Sequence, residues 1–256
     1  MSKELEAPMR TIVITGASAG IGAAIARRLG RDGNRLVLAA RRGELLQQVA
    51  RESGDAVAVV ADVTRRENVE HLRDEALRAF GAVDVWINNA GRGISRLVLD
   101  LTSDDFDEMM RVNVKSALYG MQVIVPYFAD RGRGHLINIS SVLGRVPTIA
   151  PHRSAYNAAK AALNALTANL RADVAGKGVD VSLFIPGRVL TDFPHNVLGA
   201  PSAAPPPRPP GTRAQPQTPE QVADAMAELI KHPRPEFYTN RRRGEMVRRW
   251  FEKFLR

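Results

Sequence analysis

Short apolar runs rich in β-branched residues alternate with longer stretches of helical spacing along most of this 256-residue chain. Strands that alternate with helices of about ten or more residues indicate βαβ units and a parallel sheet covered on both faces. Right-handed crossovers between the strands then give a doubly wound α/β sheet in a single domain. The predicted strands are 11–15, 35–40, 56–63, 83–91, 135–140 and 179–187, and the predicted helices that follow the first five are 21–33, 43–54, 65–81, 103–129 and 154–176.

Proline interrupts this pattern over residues 194–219, where it is too frequent for a helix interior or a central strand. Too little chain follows to form a second domain, so we interpret 192–218 as an excursion from one domain that covers 1–240. A Thr-Pro-Glu start then predicts a helix over 218–232, and EFYT is predicted as the last strand. Residues 241–256 form a basic tail.

The formal net charge of +9 is concentrated in that tail. Seven basic and two acidic residues lie in 241–256, which leaves a charge of only +4 for the other 240 residues. A nucleic-acid-binding surface would spread its basic residues over the fold, and no nucleic-acid-binding motif accompanies the charge. We therefore expect no nucleic-acid partner.

Residue usage narrows the chemistry and the compartment. The chain has no cysteine, which excludes disulfides, thiol catalysis and cysteine-ligated metals. The histidines show no metal-ligand spacing, so no metal site is predicted, although His152 and His195 lie in predicted substrate loops. The N-terminal MSKELEAPMR lacks the apolar core of a secretory signal, and no apolar run approaches the roughly 18 residues of a membrane span. We expect a cytoplasmic protein.

Glycines dominate the turn between the first predicted strand and helix, TGASAGIG at 15–22. Glycine lets the backbone approach a pyrophosphate closely, and a helix N-terminus favours the charge of that group. A purely structural turn is the alternative, but the strand–turn–helix position favours a dinucleotide site in a Rossmann-type sheet. The predicted cofactor contacts in this turn are Gly16, Ser18, Gly20, Ile21 and Gly22.

The end of the second strand bears on the choice of cofactor. An acid there commonly holds the ribose 2′-hydroxyl of NAD, whereas an arginine accommodates the 2′-phosphate of NADP. This chain has Ala40 followed by Arg41 and Arg42. Solvated arginines are the alternative, but after a phosphate-binding turn the pair favours NADP (NADPH).

Tyr156 and Lys160 lie four residues apart in SAYNAAK, at 154–160, and therefore share one face of a predicted helix. A hydride that reaches a carbonyl carbon leaves negative charge on the oxygen, which then needs a proton. An ammonium group lowers the pKa of a nearby phenol from its ordinary value of about 10. We therefore predict that Tyr156 is a general acid/base whose pKa is lowered by Lys160. For this motif alone, a surface tyrosine and a solvated lysine are the alternative.

Five motifs occur in order on these alternating elements: TGASAGIG, ADV (61–63), NNAG (88–91), NISS (138–141) with SAYNAAK, and PGRVLT (186–191). In this order they resemble the short-chain dehydrogenase/reductase family, over about residues 9–240. The resemblance implies an oxidoreductase with a nicotinamide cofactor and a homodimer or homotetramer that assembles through 103–129 and 154–176.

The resemblance also implies roles for individual residues. Tyr156 and Lys160 would form the catalytic YxxxK pair, with Lys160 also on the nicotinamide ribose, and Asn113 would complete a proton relay through water. Ser141 would hydrogen-bond the substrate oxygen. The further implied cofactor contacts are Asp62, Val63, Asn88, Asn89, Ala90, Gly91, Pro186, Gly187, Val189 and Thr191.

The position of the serine departs from the family pattern. Ser141 lies 15 positions before Tyr156, two more than is common in the family. Ser140 is the alternative, and because side chains alternate along a strand only one of the two can face the site. We favour Ser141.

The substrate edge is predicted to consist of 91–99, 142–153 and the proline-rich stretch 192–218, which the resemblance makes a lid. Apolar residues in these segments suggest a partly hydrophobic carbonyl compound: Ile94, Leu143, Val146, Phe193 and Val197.

The tail allows two interpretations. Six apolar residues form one helical stripe beside basic residues: Met246, Val247, Trp250, Phe251, Phe254 and Leu255. The stripe packs either against protein, its own subunit or a neighbour, or through 244–256 against an anionic membrane surface.

Together these observations predict an NADP(H)-dependent oxidoreductase that interconverts a small-molecule ketone or aldehyde and its alcohol. Two alternatives remain: a β-ketoacyl thioester reductase, and a protein that senses NADPH occupancy with little turnover.

Overall fold

The predicted alternation of strands and helices is present in the structure. The computed structural model describes residues 9–191, 193, 197–199 and 215–253. The strands are β1 (Thr11–Thr15), β2 (Arg35–Ala40), β3 (Ala56–Val60), β4 (Val85–Asn88), β5 (Gly93–Ile94), β6 (Gly134–Ile139), β7 (Val179–Ile185), β8 (Val197–Leu198) and β9 (Glu236–Tyr238). The helices are α1 (Gly20–Arg31), α2 (Gly43–Arg51), α3 (Arg66–Phe80), α4 (Ser103–Met110), α5 (Ser116–Asp130), α6 (Ser154–Asp173), α7 (Pro219–Lys231) and α8 (Arg241–Glu252).

Within the described ranges, one sheet contains seven strands in the order β3–β2–β1–β4–β6–β7–β9. Every pairing in it is parallel. The chain order reverses between β1 and β4, and doubly wound sheets bind ligands outside the carboxyl ends of their strands at such a reversal. The predicted doubly wound α/β fold is therefore confirmed.

Two apolar layers hold the helices to the sheet, because successive side chains of a strand point to opposite faces. Ile12 and Ile14 of β1 pack with α1, α2 and α7 on one face. Val13, between them, packs on the other face with α3 and α5. The sheet therefore presents only its strand ends to ligands.

The segment 103–129, predicted as one helix, is helical throughout, but its winding changes in the middle. α4 ends at Met110, a wide π-type turn covers Arg111–Lys115, and α5 begins at Ser116. A π-type turn accommodates an extra residue without ending the helix, and such turns are frequent at functional sites. The predicted helical segment 103–129 is therefore confirmed, with a π-type turn inside it that apolar periodicity does not show.

A second, two-stranded sheet pairs β5 with β8 in parallel. It joins the segment after β4 to part of the predicted lid. Most of that lid lies outside the described residues, as do His195, Phe254 and Leu255.

The basic tail packs on its own subunit where the structure describes it. Val247 of α8 is buried in a cluster with Val142, Val146, Leu183 and Ile185, and Met246 and Trp250 pack against the same cluster. Phe251 is 47% exposed. None of the described helices combines the length and apolar character that crossing a bilayer requires.

Candidate active site

The glycine turn between β1 and α1 packs against the start of the loop after β4. Gly16 has a φ of +67°, and a Cβ there would lie 2.8 Å from the Ala90 Cα. Gly22 lies so close to the Gly16 carbonyl oxygen and the Asn89 amide that it has no space for a Cβ. Asn89 Nδ2 donates to the carbonyl oxygens of Thr15 and Gly16, at 2.8 and 3.0 Å. Side chains larger than hydrogen are therefore excluded where a pyrophosphate would approach.

Two arginines border this turn. Arg42 donates to the Ser18 hydroxyl from both Nε, at 3.3 Å, and Nη2, at 3.1 Å. Arg41 lies close enough to Asp62 for its charge to act on that carboxyl group. Burial tends to raise the pKa of Asp62, but hydrogen bonds from Thr64 and the charges of Arg41 and Arg111 lower it overall. The predicted contacts Ser18, Arg41, Arg42 and Asp62 thus lie at one end of the site.

A row of buried polar side chains connects the strands under the site. Trp86 Nε1 donates to Asn88 Oδ1 at 2.8 Å, Asn88 Nδ2 donates to Asn138 Oδ1 at 2.9 Å, and Asn138 Nδ2 donates to Thr167 Oγ1 at 2.9 Å. This row ties β4 and β6 to α6. Asn88, predicted as a cofactor contact, is 6% exposed, and its side chain hydrogen-bonds within the sheet.

Tyr156 and Ser141 meet at the carboxyl end of β6. The Ser141 side chain hydrogen-bonds the Tyr156 phenol and also accepts from the Leu143 amide at 3.2 Å. Ser140 points the other way and donates to Asn164 Oδ1 at 2.5 Å in the buried interior. The strand alternation therefore places Ser141, and not Ser140, beside the phenol.

Lys160 shares the helix face with Tyr156, as predicted. Its Nζ lies 5.7 Å from the centroid of the Tyr156 ring and donates to the Ile139 carbonyl oxygen at 2.9 Å. Burial lowers the pKa of Lys160 to about 8. Burial also raises the pKa of Tyr156 to about 12, although the Ser141 hydrogen bond and the Arg153 charge oppose this change. The predicted decrease of the phenol pKa is therefore wrong for the described structure, because desolvation of the phenolate dominates.

Asn113 lies in the π-type turn and fixes the loop after β4. Its Nδ2 donates to the carbonyl oxygens of Arg92, at 2.9 Å, and Met109, at 3.1 Å, and its Oδ1 accepts from the Arg92 amide at 3.2 Å. A Cβ at Gly91 would lie 3.0 Å from Asn113 Oδ1 and 3.7 Å from Lys160 Nζ. The turn thus brings Asn113 close to Gly91, which Lys160 also approaches.

The segment after β7 passes over the glycine turn. The methyl group of Thr191 would lie 3.6 Å from a Cβ at Gly20, and Val189 forms a parallel bridge with Gln217. The Gly187 amide donates to Thr239 Oγ1 at 3.2 Å. Thr191 is therefore placed above the predicted pyrophosphate position. Pro186 is buried, whereas Val63 lies beyond Asp62 in the core under α3.

Not every predicted substrate-edge residue is exposed to a ligand. Ile94 and Val146 are 0% and 1% exposed and belong to core clusters, so their assignment to the substrate surface was wrong. Phe193 does face the site, since its ring lies 5.9 Å from that of Tyr156 at an interplanar angle of 61°.

Arg153 was missed by the sequence predictions. Its charge acts on the Tyr156 phenol, and its Nη1 would lie 2.9 Å from a Cβ at Gly93. The spacing of three residues before Tyr156 was the available signal. This spacing alone does not show that Arg153 lies near the phenol, because its neighbours belong to the segments around β5 and β8.

Comparison with known proteins identifies this arrangement. A family model described as short chain dehydrogenase matches residues 10–200. The chain belongs to the short-chain dehydrogenase family. It is 42% identical over 181 residues to an uncharacterised oxidoreductase of Staphylococcus aureus, which covers 70% of this chain and 78% of that one.

Solved structures of other short-chain dehydrogenases have the same fold. A short-chain dehydrogenase/reductase from Burkholderia phymatum in complex with NAD has a TM-score of 0.83 and 28% identity, with 95% of this chain and 93% of that one covered. An alcohol dehydrogenase from Thermococcus sibiricus complexed with 5-hydroxy-NADP has a TM-score of 0.77 and 29% identity, with 90% and 96% covered. Members of the family thus bind nicotinamide cofactors of both types.

The residues of this short-chain dehydrogenase fit a nicotinamide dinucleotide. The N-cap of α1 is Ala19, which has no side-chain oxygen, so the first-turn N–H groups are left to an anion. The glycine turn allows a pyrophosphate to approach closely. Lys160 and Tyr156 lie farther along the same carboxyl-end edge of the sheet, beside β6. The fit rests on these features of the chain.

Proposed function

We propose that this chain is an NADP(H)-dependent oxidoreductase that interconverts a ketone or aldehyde and the corresponding alcohol. The observation that carries the proposal is the partly buried Tyr156 phenol, hydrogen-bonded to Ser141 and beside Lys160, at the edge of the sheet that holds the glycine turn. A structural tyrosine would not need a serine and a lysine that converge on it from two elements.

The chain's own groups supply the proton chemistry. In the reductive direction the carbonyl carbon would receive a hydride, which a bound nicotinamide would supply. Tyr156 donates its phenolic proton to the oxygen, and the product is the alcohol. Ser141 holds that oxygen by a hydrogen bond, and the positive charge of Lys160 stabilises the phenolate that develops on Tyr156. The reverse reaction requires Tyr156 to accept the proton.

The preference for NADP is proposed from Ser18, Arg41 and Arg42. Ala40 provides no carboxylate for a 2′-hydroxyl, and the Arg42 guanidinium is already held over Ser18. A guanidinium binds phosphate oxygens in a bidentate manner, so a 2′-phosphate at this position would be held by charge and geometry. The loss of such contacts weakens binding of NADPH but not of NADH.

The reaction is tested by oxidation of NADPH and NADH with a panel of ketones, aldehydes and β-ketoacyl thioesters. Turnover of at least one class, faster with NADPH, supports the proposal. Fastest turnover of the thioesters would favour the β-ketoacyl reductase. NADPH binding without turnover of any compound would instead favour the sensor.

The cofactor preference is tested separately by titration of NADPH and NADH with Arg41→Ala and Arg42→Ala. We expect each substitution to weaken NADPH binding by about 10-fold, with NADH binding unchanged. Arg51→Ala, at the exposed far end of α2, removes the same charge as a control. Equal losses for both cofactors would contradict the NADP assignment.

A further inference from the structure

We propose that Arg153 binds a carboxylate of the substrate, so that the enzyme acts on oxo acids and hydroxy acids. The proposal rests on the proposed oxidoreductase function and gives its substrate class. It concerns a residue that lies before the catalytic tyrosine and outside the catalytic set.

The position of Arg153 is fixed by backbone contacts. Its carbonyl oxygen accepts from the Asn157 amide at 2.8 Å, its amide donates to the Ala150 carbonyl oxygen at 3.0 Å, and it bridges in parallel to Arg96. The residue therefore stands at the start of α6, one turn before Tyr156. Its side chain extends to Gly93, where the Nη1 would be 2.9 Å from a Cβ.

Gly93 marks the point at which three side chains converge. A Cβ there would lie 2.9 Å from Arg153 Nη1, 3.0 Å from Phe193 Cε1 and 3.1 Å from Val197 Cγ2. The ring of Phe193 also contacts the ring of Tyr156. The guanidinium is therefore in the same small space as the catalytic phenol, with apolar groups on its other side.

Neighbouring arginines have carboxylate partners, whereas Arg153 does not. Arg92 pairs with Glu108 at 3.2 Å, Arg96 pairs with Asp105 at 2.9 Å, and Arg145 pairs with Glu236. In the part of the chain that the structure describes, no acid lies within ion-pair distance of Arg153, and its buried Nη1 has no hydrogen-bond partner. A half-buried cation with an unpartnered buried nitrogen and no counter-ion is costly, so such a group is expected to receive one from a ligand.

The charge and surroundings favour a carboxylate over other anions. One guanidinium neutralises one negative charge and matches the two oxygens of a carboxylate. A phosphate dianion would leave one charge without a partner in this apolar space. Phe193 and Val197 favour an acid with a short apolar chain.

The experiment compares acids with neutral analogues of the same shape. Reduction of 2-oxo and 3-oxo acids of four to six carbons, and of their methyl esters, is measured with saturating NADPH in wild type and in Arg153→Met, Arg153→Lys and Arg133→Met. Arg133→Met removes one charge from an exposed position just before β6, at the amino ends of the strands and therefore at the opposite end of the sheet from the site. Calorimetric titration with hexanoate, hexanamide and hexyl phosphate, in the presence of NADP, measures binding without turnover.

We expect wild type to prefer each acid over its ester. Arg153→Met should lower kcat/KM for the acids by roughly 10- to 100-fold more than for the esters and leave NADPH binding unchanged, because a hydrogen-bonded charge pair is lost only with the acids. Arg153→Lys should recover part of the acid activity. Arg133→Met should behave as wild type.

The outcomes separate this proposal from the function on which it rests. No turnover of any carbonyl compound, with hexanoate binding that depends on Arg153, would overturn the reaction and support the carboxylate site. Equal use of acids and esters, or an equal loss of both in Arg153→Met, would overturn the carboxylate site and keep the oxidoreductase. Tighter binding of hexyl phosphate than of hexanoate would also overturn it.

Discussion

Tyr156 combines two properties that a solvated tyrosine does not have. Its phenol is buried, with the pKa raised to about 12, and it hydrogen-bonds Ser141. At neutral pH it is therefore protonated and suited to donate a proton to a carbonyl oxygen. Reduction thus starts from the protonation state that the described structure already favours.

We expect Tyr156→Phe to lower kcat by about 10²- to 10⁴-fold, since general acid catalysis contributes a factor of that size. NADPH affinity should be unchanged, because the ring remains. The measurement is NADPH oxidation together with a fluorescence titration of NADPH. Turnover close to that of wild type would exclude Tyr156 as the proton donor.

His135 is a buried histidine on β6 whose hydrogen bonds define its protonation. The Ser182 hydroxyl donates its one proton to the Arg234 carbonyl oxygen at 2.7 Å, so His135 Nε2 must donate to Ser182 Oγ, also 2.7 Å away. His135 Nδ1 is buried without a partner among the described residues. Burial lowers the pKa of His135 to about 3 from 6.5, so the folded protein holds the neutral ring.

This makes His135 a cause of acid destabilisation. Between pH 6.5 and 3 the unfolded chain binds a proton that the folded chain does not, so the free energy of unfolding falls as pH decreases. The slope from this residue is about 1.4 kcal/mol per pH unit. We expect His135→Gln to unfold in urea with a smaller loss of stability between pH 6.5 and 4.5 than wild type. Parallel pH profiles for the two proteins would show that another group is responsible.

Single residues differed in how well the sequence predicted them. Tyr156 and Lys160 were placed on one helix face by their fixed spacing, whereas Ser141 was assigned by the family resemblance, because strand alternation shows only that one of two neighbouring serines can face the site. The pKa of Tyr156 was not predicted correctly, because it depends on desolvation by neighbours that come from other segments. Arg153 was not singled out, because Gly93, Phe193 and Val197, which surround it, come from other segments of the chain.

At the scale of elements, the glycine turn and α1 form one rigid unit with the loop after β4. A Cβ at Gly22 would lie 2.5 Å from Asn89 Nδ2 and would clash with the Gly16 carbonyl oxygen. We expect Gly22→Ala to weaken NADPH binding more than 10-fold and to destabilise the fold by about 1–3 kcal/mol, as overpacking does. Fluorescence titration and thermal unfolding measure the two effects.

Gly244→Ala is the matched control, because the nearest atom to its Cβ lies 3.6 Å away and the residue is in helix α8. Alanine has the higher helix propensity, so this variant should gain up to about 1 kcal/mol and keep its NADPH affinity. Equal NADPH affinity for Gly22→Ala and wild type would show that the close approach is not part of the cofactor site.

Elements with a long run of apolar residues in a regular pattern were predictable from the sequence. Elements that form only through contacts with distant segments were not. β1 and β2 match their predicted ranges because each is a continuous buried apolar run. The π-type turn around Asn113 is invisible to periodicity, since the residues on both sides continue the helix. β5 and β8 have two residues each, too few for any alternation.

At the scale of the whole molecule, α8 connects the chain end to the substrate loop. Val247 is 7% exposed and packs on Val142, which directly follows Ser141. We expect Val247→Asp to lower the free energy of unfolding by about 3 kcal/mol, because it buries an unpaired charge, whereas Phe251→Asp should change it little. Urea unfolding of the two variants measures this difference.

Similar, small effects of the two substitutions would mean that α8 does not pack in solution. Sedimentation with anionic vesicles would then test the membrane interpretation. The apolar stripe alone did not distinguish protein from membrane, because both partners select the same periodicity. The doubly wound parallel sheet, in contrast, followed from the alternation of strands and helices together with crossover handedness. Assembly through 103–129 and 154–176 remains a prediction.

The pairing of β5 with β8 has a consequence for how the enzyme can diversify. Two residue pairs and the Ser95–Leu198 hydrogen bond of 2.9 Å attach Val197–Leu198 of the predicted lid to β5, while the proton-transfer groups belong to the end of β6 and to α6. We therefore expect that the predicted lid can be exchanged during evolution, and the accepted substrates with it, with little effect on catalysis. Grafting that lid from a relative should be the shortest route to a new specificity.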